Sequence, residues 1–223
     1  IDNGLGTKQD SKFFSYYHLH GDDSLARSLH AVGFSENDVT DMFLTHLHFD
    51  HCGGGVVRNG DKLALTFPRA RYWSNEDHWQ WATHPNPREK ASFLKENILP
   101  MQESGHLSFV NGQPSPFESF DIFYASGHTD KMMIPRIRVK DKVVCYMADL
   151  LPSVGHIPLP YVMGYDTRPL ITMQEKEQFL NEAADNGYIL FFEHDPVNEC
   201  CTVKHTERGV RVDQIFPLAE VGV

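Results

Sequence analysis

The sequence predicts a mixed α+β domain, and three observations carry that prediction. Short apolar runs such as Met42-Phe43-Leu44 and Tyr188-Ile189-Leu190-Phe191-Phe192 have strand length and stop at polar or glycine-bearing turns. Other stretches, 175–184 among them, repeat their apolar residues at helical spacing instead. The apolar runs also end repeatedly on histidine or aspartate, at 45–51, 126–129, 149 and 193–195. At 223 residues the chain is long enough for one domain, 1–223, with a sizeable core.

Taken in order, 11–20 is aromatic and loop-like, with a His18-x-His20 pair at its end. Asp22 or Asp23 is placed to cap a helix through Leu25, Leu29 and Val32, which Gly33 ends. Residues 35–39 are a turn feeding the strand that precedes the histidine-rich stretch. Leu63 to Phe67 reads as a strand closed by Pro68. Trp73, Trp79 and Trp81 make 73–82 aromatic-rich, and His78 and His84 either line a pocket there or sit satisfied on a helix surface. After Pro85 and Pro87, residues 88–99 are expected to be helical. Residues 121–125 form a strand. Residues 132–139 and 143–148 form a hairpin through Lys140-Asp141-Lys142. The tract 151–170, with His156, Tyr161, Met163 and Tyr165, is irregular and borders the expected active site. A helix over 175–184 ends at Asn186-Gly187, a buried strand follows at 188–192, and the tail closes as a hairpin.

Composition narrows the classes. There are 30 acidic against 20 basic residues, a formal net charge of −10, and no lysine- or arginine-rich block, which argues against a nucleic-acid surface. No apolar run approaches the roughly 18 residues needed to span a bilayer, and no signal peptide is visible. The four cysteines lack framework spacing, so reduced thiols and a cytoplasmic setting are the expectation.

The stretch Thr45-His46-Leu47-His48-Phe49-Asp50-His51-Cys52-Gly53-Gly54-Gly55 carries the chemistry. Four side chains able to bind metal fall within six positions, after an apolar strand. Extended backbone would put His46 and His48 on one side, with Asp50 and His51 in the loop beyond. Imidazole and carboxylate suit zinc, iron, cobalt or manganese. His-x-His-x-Asp-His resembles the signature of metallo-β-lactamase-fold hydrolases. Ser126-Gly127-His128-Thr129 is similar to the family's Gly-His-Thr element, although Asp130 and Lys131 replace the usual proline and glycine. Asp149 matches the metal-bridging aspartate, and His194 the last ligand.

The resemblance implies a four-layer αββα sandwich and two divalent ions, zinc above all, with iron or manganese as alternatives. His46, His48 and His128 would hold one ion and Asp50, His51 and His194 the other, with Asp149 bridging and Asp50 also orienting the nucleophile. Asp2 and Thr45 are candidates to support the histidines. Trp73, His78, His156 and Tyr161 are expected to contact substrate. The opening Ile1-Asp2-Asn3-Gly4 resembles a strand-ending turn that several strands precede in relatives, so the sequence is expected to lack an N-terminal piece.

The implied activity is hydrolysis of an ester, lactone or phosphoester of a small molecule, by a protein that could form a homodimer. The presence of Asp149 separates the chain from β-lactamases, which normally lack it. Lactonases place a tyrosine three positions after the bridging aspartate, where this chain has Pro152. Two alternatives stay open: a glyoxalase-II-like thioester hydrolase, or a non-catalytic metal-binding protein that keeps the fold.

Overall fold

The computed structural model describes residues 1–110, 112 and 115–222. The chain is α+β and divides into two compact units, Ile1–Asn111 and Gly112–Val223.

The first unit opens with α1 (Ser11–Ser15), α2 (Leu25–Ala31), β1 (Asp41–Phe43) and the one-turn α3 (Phe49–Cys52). It continues through β2 (Val56–Asn59), β3 (Lys62–Leu65), β4 (Arg71–Ser74), α4 (Glu76–Thr83), α5 (Lys95–Glu103) and β5 (Leu107–Phe109). β1, β4 and β5 form a parallel sheet in the order β1-β4-β5, while β2 and β3 form a separate hairpin. Met42, Leu44, Leu47, Cys52, Tyr72, Trp79, Ile98 and Met101 make its core.

Several boundaries differ from expectation, each for a local reason. Residues 11–15 are helical because the Asp10 carboxylate accepts the Phe13 amide at 2.8 Å and caps the turn. The cap of α2 is Ser24, which accepts from the Arg27 amide at 3.2 Å, rather than Asp22 or Asp23. Gly33, at φ +85°, ends α2 as expected. The helix expected over 88–99 is displaced to α5. The Asn86 side chain takes the Arg88 and Glu89 amides (2.9 and 3.2 Å) and holds 86–92 as turns, so helix starts only at Lys95.

The second unit contains β6 (Phe120–Ala125), β7 (Met132–Val139), β8 (Lys142–Tyr146), α6 (Pro169–Asn186), β9 (Ile189–Phe191), β10 (Cys200–Thr206) and β11 (Gly209–Phe216). They build one six-stranded sheet, β11-β10-β9-β8-β7-β6, antiparallel except for the parallel β8–β9 pair that α6 connects. Side chains alternate across this sheet. Cys145 and Leu190 meet Phe179, Leu180 and Ala183 of α6 on one face, whereas Val144 and Ile189 meet Val221 on the other. α6 is longer than the expected 175–184 because Pro169 supplies a preset first-turn φ, and Gly187 (φ +66°) ends it.

All four cysteines are free and buried. Among the described residues, no helix is long and apolar enough to cross a membrane.

Candidate metal centre

In the first unit, β1 ends at Phe43 and the chain stays tethered after it. The Leu44 amide donates to the Trp73 carbonyl at 3.0 Å, and the Asp2 amide donates to the Phe43 carbonyl at 2.8 Å. The His46 ring centroid lies 4.6 Å from that of His48 and 4.0 Å from that of His51. Asp50 and His51 lie on α3 and not in an open loop, because the Cys52 amide reaches back to the His48 carbonyl and closes a helical turn. Three glycines then let the N-terminal segment press against this turn. The Gly54 amide donates to the Gly4 carbonyl at 2.8 Å, and a Cβ at Gly54 would collide with the Asn3 carbonyl.

Asp2 organises the stretch electrostatically. Its carboxylate accepts the Thr45 amide at 2.7 Å and the Thr45 hydroxyl at 2.8 Å, and it faces His51 Nδ1 at 2.9 Å. The Thr45 hydroxyl has one proton, donated to Asp2, so at 3.0 Å it accepts from Nδ1–H of His46. One buried carboxylate thereby sets two imidazoles to carry their proton on Nδ1, which puts the lone pair of each on Nε2. His48 Nε2 lies 3.5 Å from the buried Glu89 carboxylate. Glu89 is itself fixed by Trp81 Nε1 (2.8 Å) and Asn86 Nδ2 (2.6 Å). Asp50 is half-exposed, its Oδ2 3.9 Å from His51 Nε2. The Cys52 thiol donates to the Leu47 carbonyl at 3.3 Å and packs in the core; burial pushes its pKa up to about 12.

In the second unit, strand register brings three more donors together. β8 and β9 run parallel with Tyr146 beside Phe191, so Asp149 and His194, each three residues further on, emerge from neighbouring strand ends. β7 pairs with β8 with Arg136 opposite Cys145; extending that register brings Met132 level with Asp149, and the β6–β7 loop carries His128 there. Asp149 Oδ2 lies 3.0 Å from His128 Nε2, and its Oδ1 lies 3.1 Å from His194 Nε2. Ligand atoms sharing one tetrahedral zinc at 2.0–2.1 Å lie roughly 3.3 Å apart, so these spacings suit metal donors. One carboxylate presents a separate oxygen to each imidazole.

The sequence profile of the metallo-beta-lactamase superfamily matches residues 8–194. The chain belongs to this superfamily. Solved structures agree on the fold. A probable metal-dependent hydrolase from Staphylococcus aureus superimposes with a TM-score of 0.85 at 24% identity, over 97% of this chain and 76% of that one. AidC, a dizinc quorum-quenching lactonase in complex with a product, gives 0.78 at 24% identity, over 97% and 75%. The hydrolase AbOPH of the β-lactamase superfamily gives 0.77 at 19% identity, over 97% and 75%. No curated protein matches the chain. In this metallo-β-lactamase-superfamily chain the buried histidines and aspartates are donors suited to a divalent metal.

The residues expected at substrate are placed less uniformly. His78 does not line a pocket: it is fully buried on α4, and its Nε2 accepts the Leu47 amide at 2.9 Å, fixing the backbone between His46 and His48. Trp73 is tied at the strand surface, its Nε1 donating to Asp41 at 2.8 Å with Arg71 5.5 Å over the ring. His156 is partly buried, with Nδ1 2.8 Å from the Ser153 hydroxyl. Tyr161 is exposed, and its carbonyl accepts from Lys176 at 2.7 Å. Two acidic residues escaped the sequence reading: Glu89, and Asp166, whose Oδ1 lies 3.0 Å from His128 Nδ1. A lone acid in an irregular tract has no spacing that would mark it.

Burial lowers the basicity of His128, but the Asp149 and Asp166 carboxylates outweigh it and raise its pKa to about 9. A histidine raised above its unfolded value of roughly 6.5 adds stability that is fully present below that pH and lost as pH climbs through 9. Chelator-treated protein should therefore lose stability from this group between pH 6.5 and 9. Urea midpoints across that range should fall less steeply for His128→Gln than for wild type. Equal slopes would remove His128 as the source.

Proposed function

We propose that this chain is a dinuclear metal-dependent hydrolase of small-molecule esters, lactones or phosphoesters. On this reading His46, His48 and His128 would hold one divalent ion and Asp50, His51 and His194 the second, with Asp149 shared between them. The observation that carries this reading is Asp149: its two oxygens face two different histidines at 3.0 and 3.1 Å. Such a split suits a carboxylate that would lie between two ions. Two structural neighbours support the ester and lactone branch: AidC is a lactonase, and another is an N-acyl homoserine lactone hydrolase with product bound at its metal centre.

When bound, such a pair of ions supplies Lewis acidity and lowers the pKa of water toward roughly 7. The protein's own groups do the rest. Asp2, through Thr45 and directly, keeps the His46 and His51 protons on Nδ1. Asp50 keeps a half-exposed carboxylate that can accept a proton from the attacking water while its other oxygen binds metal. Zinc is the first expectation for both sites, with iron or manganese set by supply.

The test is elemental analysis together with a panel of chromogenic esters, lactones, phosphotriesters and a thioester. We expect two ions per chain, activity on at least one ester-class substrate, loss on chelation and recovery on adding zinc or manganese. Trace metal only, with no activity on re-addition, would sink the proposal. Turnover confined to the thioester would move the chain to the glyoxalase-like class.

A further inference from the structure

His128 is held twice, once by its ring and once by its backbone, and both holds come from one distant segment. The loop 126–131 joins β6 to β7. Its Ser126 and Gly127 amides donate to the two oxygens of Glu175 at 2.7 and 2.9 Å. The Gly127 carbonyl accepts the Arg168 amide at 2.8 Å, and the His128 carbonyl accepts the Thr167 amide at 3.2 Å and its hydroxyl at 3.0 Å. Arg168 Nη1 reaches both the Ser126 carbonyl and Asp130 at 2.7 Å. α6 comes so close that a Cβ on Gly127 would strike the Thr172 backbone. These bonds fix where the His128 Cα sits. They leave the ring free to rotate.

Asp166 removes that freedom. Its side chain is 1% exposed, and its Oδ1 lies 3.0 Å from His128 Nδ1. An ionised carboxylate only accepts, so Nδ1 must carry a proton, and Nε2 is the nitrogen aimed at Asp149. The same helix also tethers the chain just before Asp166, because the buried Lys176 donates to the carbonyls of Pro158, Leu159 and Tyr161 at 3.1, 3.2 and 2.7 Å. Asp166 therefore stands on a braced support.

We propose that Asp166 is a positioning residue that orients the His128 ring toward Asp149, and that residues 167–175 are the clamp holding the loop for it. This rests on reading His128 as a metal ligand, but its first test needs no metal. In metal-free protein the His128 Nδ1 proton should appear as a slowly exchanging resonance in proton NMR, absent in Asp166→Ala and kept in Asp166→Asn, whose amide oxygen still accepts. In zinc-loaded protein, competition with a chromogenic chelator should show zinc binding weakened about 10–100-fold in Asp166→Ala. Asp166→Asn should lose less than Ala, and the melting temperature of metal-free Asp166→Asn should stay near wild type. A merely structural role would lower the melting temperature of Asp166→Ala and leave its zinc affinity unchanged. The inference falls if wild type lacks the protected proton, or if Asp166→Ala keeps it or binds zinc like wild type. If wild type takes up no zinc, the hydrolase reading falls instead, while the ring proton still decides the orientation.

Discussion

Asp149→Asn should release at least one metal ion per chain and lower hydrolysis by about 100-fold or more, since changes beyond the ligand shell already cost roughly 10–100-fold. The substitution keeps the shape and burial of the side chain. It replaces one oxygen with an NH2 that has no lone pair to offer, so one of the two histidine-facing positions, at 3.0 or 3.1 Å, becomes a donor. It also removes the negative charge that would partly neutralise two dications. Asp195→Asn is the matched control, next to His194 in sequence but outside the ligand set. Its Oδ1 accepts the Val197 and Asn198 amides at 3.0 and 2.9 Å, and its Oδ2 accepts the Val154 amide at 3.0 Å. That variant should lose stability on the order of 1 kcal/mol and keep its metal. Metal content and turnover measured side by side decide the matter; equal losses in both variants would remove Asp149 from the bridging role.

How much of this was legible in the sequence depended on whether a residue's role is local. The 45–51 stretch stands out by its own spacing, whereas Gly-His-Thr at 127–129, Asp149 and His194 are weak signals singly and stand out only as an ordered set, each after a short apolar strand. The hairpin of β7 and β8 and the closing hairpin of β10 and β11 were readable for the same reason, as alternation and turn residues are local signals. The misses are of two kinds, local side-chain competition and long-range pairing. Two residues before Arg88 the Asn86 side chain takes the amides of a first helical turn, and residue type alone does not say that it outcompetes helix there. For His78 the sequence left a pocket position and a satisfied hydrogen bond both open, and it is the Leu47 amide, 31 positions away, that takes its Nε2. Glu89 and Asp166 face histidines 41 and 38 positions away, and only the folded chain brings them there. The short α1 escaped because five residues of aromatic sequence carry no helical period, and the Asp10 cap alone decides it.

Asp2 gives the second large effect, and its two substitutions should separate folding from metal binding. Asp2→Ala removes a buried carboxylate that serves the Thr45 amide, the Thr45 hydroxyl and His51 Nδ1. Breaking such a buried constellation costs about 3–5 kcal/mol, because the remaining polar groups stay desolvated without their partner. For a chain of this size that is a fall of very roughly 10 °C in melting temperature. Asp2→Asn should act differently. Its Oδ1 still accepts the Thr45 amide, but its NH2 now points at the positions that Oδ2 served, the Thr45 hydroxyl at 2.8 Å and His51 Nδ1 at 2.9 Å. A donor there obliges His51 to accept on Nδ1 and move its proton to Nε2. Thr45, now accepting from the amide, turns its own proton toward His46 Nδ1 and forces the same exchange on that ring. Both Nε2 atoms would then carry hydrogen in place of a lone pair, and neither could bind metal without disrupting the network. Asp2→Asn is thus expected to keep a melting temperature within a few degrees of wild type while binding zinc at least 10–100-fold more weakly, as second-layer changes at metal sites commonly do. Nitrogen-15 NMR of the metal-free variant should show His46 and His51 protonated on Nε2. Wild-type zinc affinity in Asp2→Asn would mean that Asp2 supports the fold but does not set the protons of the histidines beside it.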